Sequence, residues 1–155
     1  MFQILPLDSQ EFTHLFSQSD DELLAQGIIR TKSDAFPGYP CRISLDFAPI
    51  GESLLLLNYE HQKAKTPYNS RYAIFVRENA REIELQPNEL APVFKRETPI
   101  AVRAFDKNGL LQSAEIAMGP ECASLFDKYL AMPNVEYLHA HYAAYGCFAA
   151  KIVRA

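Results

Sequence analysis

A chain of 155 residues can bury a core without disulfide or metal staples, and 48% hydrophobic against 22% charged residues excludes a disordered polymer. The net charge of −4 argues against nucleic-acid binding through bulk electrostatics, which requires a basic face. No aliphatic run exceeds Leu54 to Leu57, far short of the about 20 apolar residues of a membrane span, and the opening MFQILPLDSQEF has no basic n-region.

The first thirty residues read as helical. Asp8 followed by Glu11 has the form of a capping box, and Phe12, Leu15 and Phe16 make a short apolar stripe. Ser19 with Glu22 gives a second helix start, Gly27 a stop, and KSDAFPGYP a loop. Asp20 and Asp21 fall where the helix dipole favours carboxylates, and His14 lies on the polar side of the first helix.

From Cys41 the pattern turns to strands. CRISLDF alternates Cys41, Ile43, Leu45 and Phe47 with Arg42, Ser44 and Asp46, which predicts a half-buried strand. ESLLLLNYEH reads as a more buried strand, QKAKTPYNS as an exposed loop and RYAIFVRE as the next strand. Residues 79–98 carry Pro87 and Pro92 and read as irregular. PIAVRAFDKNGLLQSAEIA predicts a hairpin turning at Asp106 to Gly109, with Gly109 left-handed. GPECASLFDKYLAMP predicts a helix with Pro120 at its first position and Cys122, Leu125, Phe126, Tyr129 and Leu130 on its apolar face. Two strands, at about 135–142 and 147–153, close the chain.

Strands dominate and strict βαβ alternation is missing. The class is therefore α+β, a single domain over 1–155 with a largely antiparallel sheet, N-terminal helices and one helix before the last strand pair.

The chemistry-bearing stretch is YLHAHYAAYGCFAA. On a strand, His139 and His141 share one face, and if the next strand begins at Cys147, antiparallel pairing sets Cys147 opposite His141. A slip of one residue would send the thiol to the other face. A metal reading could add His61, Glu60, Cys41 or Cys147, but no Cys-x-x-Cys or His-Glu-x-x-His spacing occurs, so no metal is expected. Cys122, on a helical apolar stripe, belongs to the core.

A second group arises where NYEH ends one strand and TPYNSRY begins the next. In a hairpin, Tyr59, Glu60, His61, Tyr68 and Arg71 meet at one end of the sheet. With Arg103 they supply the ingredients of a pocket for a small polar or anionic ligand, arginine giving bidentate anion recognition. In an enzyme, His139 or His141 would be the general base, Arg103 or Arg71 the anion anchor and Cys147 the nucleophile. The alternative is a non-catalytic protein-interaction module displaying these aromatics on a flat patch. Arg77 with Glu78 reads as a solvated face. The six glycines form neither G-x-G-x-x-G nor a Walker pattern and no G-x-S-x-G occurs, so no cofactor is expected. Three cysteines without a framework spacing fit a reducing compartment, and cytoplasmic location is expected. Oligomeric state has no signature in the chain.

Taken in order, FPGYPCRISLD, ESLLLLNYEHQ, TPYNSRYAIFVRE, AVRAFD and YLHAHYAAYGCFAAKI resemble a family of short bacterial proteins known as Domain of Unknown Function 1203, over residues 3–153. The resemblance implies a single-domain bacterial protein and transfers no catalytic residues.

Overall fold

The computed structural model describes residues 1–155 as eight strands and three α-helices. The strands are β1 (Phe2–Leu5), β2 (Ile29–Lys32), β3 (Ser53–Gln62), β4 (Ser70–Arg77), β5 (Pro99–Phe105), β6 (Leu111–Met118), β7 (Tyr137–Tyr142) and β8 (Phe148–Arg154). The helices are α1 (Thr13–Phe16), α2 (Asp20–Leu24) and α3 (Cys122–Leu130). All named strand pairs are antiparallel. They build a five-stranded sheet in the order β1-β8-β7-β5-β6 and a three-stranded sheet in the order β2-β3-β4. The α+β class stands, with two sheets where the sequence indicated one. No helix is long and apolar enough to cross a membrane.

The five-stranded sheet buries Ile100, Val102, Ala104, Leu138, Ala140 and Ile152 against α3. The predicted stripe of α3 is buried at all five positions, and Pro120 lies in the 3-10 turn leading into it. The smaller sheet packs Leu55, Leu57, Ile74 and Val76 with α1 and α2 in a second core that also takes in Phe148 of β8. Ser19 and Glu22 form the expected capping box at α2, and Gly27 takes φ +75° just beyond it. Residues 79–98 hold only a 3-10 turn at Pro92–Phe94.

Three local expectations are overturned. The helical reading of the first thirty residues fails at both ends, where β1 and β2 lie. Asp8 accepts from the Gln10 amide, but this initiates only a 3-10 turn, and the Glu11 carboxylate meets the Tyr59 hydroxyl instead of closing a box. Phe2 and Ile4 alternate into the main core because β1 pairs with β8 at the other end of the chain.

CRISLDF is a tight loop and not a strand. Leu45 has φ +48°, the Cys41 amide donates to the Asp46 carbonyl, and the segment's only β pairings are isolated bridges. Arg42, predicted on the polar face, is 1% exposed. The period-two pattern arose from a loop that buries Arg42 along with Cys41, Ile43 and Leu45 while Asp46 stays exposed.

The third concerns the β7–β8 hairpin, where the register shifts between Ala140 and His141. His141 therefore pairs with Phe148, not Cys147, and the thiol falls on the other side of the strand.

Candidate functional site

The site forms where β3 of the smaller sheet packs across β5 and β7 of the larger one. Along β7, Tyr137, His139 and His141 alternate away from the α3 core, and β5 sets Arg103 directly opposite His139. His61, at an irregularity near the end of β3, lies over this face. Its ring centroid is 6.0 Å from that of His139 and 5.0 Å from that of His141, and it stacks on Phe148 at 5.4 Å. Two sequence neighbourhoods about 80 residues apart thus deliver three imidazoles to one place.

His139 and His141 are 2% and 1% exposed. His141 Nδ1 lies 3.0 Å from the Gly146 carbonyl, an acceptor that fixes the proton on Nδ1 and leaves Nε2 an acceptor. That Nε2, together with Nδ1 of His61 and of His139, is buried without a hydrogen-bond partner. Such orphans cost free energy unless something pairs with them. Burial, with the charges of the neighbouring histidines, Lys151 and Arg103, pushes the His139 pKa down to about 2. Burial and Arg103 lower His141 to about 3, against the opposing pull of the Gly146 carbonyl. His61 is lowered for the same two leading reasons. All three imidazoles are neutral at pH 7.

Two adjoining concavities open on this cluster. The smaller, about 240 Å³, is lined by His61, His139, His141, Arg103 and Tyr68, with Phe105 beside the Tyr68 ring at 6.2 Å. The larger cleft, about 540 Å³, shares His61, Gln62 and His139 with it and is ringed by Lys63, Lys65, Lys107 and Lys151. No Asp or Glu lines either one. In a chain of net charge −4 this is a local inversion of sign.

The cleft owes its roof to a close approach of two loops. Thr66 Oγ1 in the β3–β4 loop donates to the Gly109 carbonyl, and a Cβ on Gly109 would sit 2.3 Å from Ala64 Cβ. Gly109 takes φ +80° in the expected β5–β6 turn, so both backbone and packing demand glycine there. Below it, Gln62 and Tyr137 bond side chain to side chain at 2.9 Å, tying β3 to β7.

Of the residues singled out from sequence, His61, His139, His141, Arg103 and Tyr68 meet in the smaller cavity, and Tyr59 lines the cleft with its hydroxyl pushed up to about 12 by burial. Glu60 and Arg71 do not join them. They pair across the β3–β4 hairpin, where Glu60 accepts from Asn69 and Arg71 donates to Asn58. Cys147 is separated by the register shift and contacts Arg42 instead. The four lysines, Gln62 and Phe148 were missed. Lys151 carried a usable signal, since it pairs with His139 in the β7–β8 ladder, but the loop lysines carried none.

No set of three or more His, Cys, Asp or Glu side chains is placed to hold a metal ion. With cationic side chains and no carboxylate around the imidazoles, the surroundings suit an anion.

The chain belongs to the family described as Protein of unknown function (DUF1203), whose model matches residues 38–154. The match starts at Gly38, so β1, α1, α2 and β2 precede it, and the resemblance is shorter than residues 3–153. No curated protein and no solved structure matches the chain.

Proposed function

We propose that this protein binds a small anionic molecule in the cleft between its two sheets. The carrying observation is four lysines, Arg103 and three neutral imidazoles around two connected concavities without one lining carboxylate. The lysines attract and hold charge at the mouth, Arg103 offers a forked donor, and the orphaned ring nitrogens provide hydrogen-bond partners at depth. Convergence in concavities, in place of spread over a flat patch, favours ligand binding over a protein-interaction module. Free thiols at all three cysteines agree with a reducing compartment, and we place the protein in the bacterial cytoplasm.

Catalysis is a narrower reading. Imidazoles held at about 2 and about 3 are too weakly basic to serve as general bases near neutrality. They take up protons only if a bound anion first offsets the surrounding positive charge. A catalytic cycle through His139 or His141 therefore begins with anion binding.

The test is calorimetric titration with pyrophosphate and with citrate, run on the native protein and on a Lys107→Gln, Lys151→Gln variant. Binding should weaken about tenfold in the variant, equivalent to roughly 0.7 kcal/mol for each exposed ion pair lost, and should weaken with added salt. Affinity unchanged by the substitutions, or no binding of either anion, would remove the reading.

A further inference from the structure

A separate cavity of about 520 Å³ lies where residues 37–47 fold against β4 and the β7–β8 turn. Tyr39, Tyr72, Phe75, Tyr142 and Tyr145 contribute to its walls, and Arg42 and Cys147 also line it. It shares no residue with the histidine cavity or the lysine cleft.

Arg42 is the unusual member. It is 1% exposed, yet no carboxylate lies within ion-pair distance. Its Nε donates to the Phe148 carbonyl at 2.7 Å, one terminal nitrogen to the Pro40 carbonyl and the other to Cys147 Sγ at 3.2 Å. A guanidinium carries five N–H groups, so each terminal nitrogen keeps one N–H beyond these bonds. The group also lies over the Tyr142 ring at 5.3 Å. A fully buried cation served only by neutral acceptors is costly, because carbonyls and a thiol return less than an anion would. A second guanidinium, Arg96, stands among the lining residues against the rings of Phe36 and Phe47, at 5.4 Å from each. No Asp or Glu lines the cavity.

We propose that this cavity is a second binding site, for a flat organic monoanion such as an aromatic carboxylate. The carboxylate completes the charge of Arg42 through its remaining N–H groups, and the ring system lies among the tyrosines and Phe75. Two features choose this class over inorganic phosphate. The lining is mostly apolar, which favours a ligand with a large apolar body, and the floor offers a single buried charge, which matches a monoanion.

The experiment is calorimetric titration of the native protein with 1-naphthoate and with its neutral analogue 1-naphthylmethanol. Naphthoate should bind, and naphthylmethanol should bind at least about tenfold more weakly, the loss that follows when a charge-assisted hydrogen bond is removed. Ala73→Trp places bulk in the cavity from exposed β4 and should abolish naphthoate binding without disturbing Arg42. His139→Asn should leave naphthoate affinity unchanged, which separates this site from the cleft. Equal binding of acid and alcohol would show an apolar crevice without anion recognition and overturn the proposal. So would no naphthoate binding in the low millimolar range, or affinity that survives Ala73→Trp.

Discussion

Acidification should destabilise this protein through two particular histidines. An imidazole in the unfolded chain titrates near 6.5, whereas His139 is held at about 2 and His141 at about 3. Above pH 6.5 neither state binds the proton and the histidines impose no pH dependence. As pH falls below 6.5 the unfolded state protonates while the native state does not, so stability is lost progressively toward the folded-state values. At pH 5 each histidine has cost roughly 2 kcal/mol relative to pH 7.5, and the pair roughly 4 kcal/mol. The figure is insensitive to the folded-state pKa as long as it lies well below 5. At about 2–4 °C per kcal/mol for a domain of this size, the melting temperature should drop by roughly 8–16 °C. The assay is thermal unfolding by circular dichroism at fixed ionic strength between pH 7.5 and 5, a window that stops above the carboxylate range. A His139→Asn, His141→Asn variant lacks both titrations, and the amide introduced at position 141 can still donate to the Gly146 carbonyl as Nδ1 does. Its melting temperature should change much less over the same window. A flat profile in the parent chain, or an equal fall in the double variant, would refute the reasoning. Saturating pyrophosphate should blunt the fall, because an anion among the rings raises their folded pKa toward 6.5.

Two further outcomes are expected. Gly109→Ala combines φ +80° with a Cβ 2.3 Å from Ala64, so it should cost roughly 2–4 kcal/mol in denaturant unfolding. Gly109→Asn relieves only the backbone part, and an Asn variant as stable as the parent would show that the loops do not press together there. Cys41 and Cys122 are buried while Cys147 is half-buried, so iodoacetamide should label one thiol in the native protein and all three in denaturant. Labelling that persists natively in Cys147→Ser would contradict this arrangement.

What the sequence discloses and conceals follows from the range of the forces involved. Strands β3 and β4, the Gly109 turn and α3 were readable because their periodicity and turn chemistry are local. The four-residue strands β1 and β2 were not, since each is defined by a distant partner and not by its own pattern. CRISLDF had the alternation of a strand, but buried Arg42 and left-handed Leu45 answer to tertiary contacts. His139 and His141 could be placed on one face from spacing alone. That Arg103 would join them depended on the distant pairing of β5 with β7, and that His61 would do so depended on how one sheet lies across another. The displacement of Cys147 depended on one irregularity in a hairpin, which no composition rule reveals.

The pairing of β1 with β8 sets a timetable for biosynthesis. Phe2 and Ile4 are synthesised about 150 residues before the strand that covers them, residues 151–154. Until then β7 also lacks one of its two neighbours, because β8 sits between β1 and β7. The five-stranded sheet therefore cannot assemble progressively from the N-terminus. The β3–β4 hairpin can form while later strands are still being made, whereas β1 must keep its apolar face from other partners until β8 has been synthesised. Closure comes late, and it falls to the same strand that carries Phe148 to the histidines.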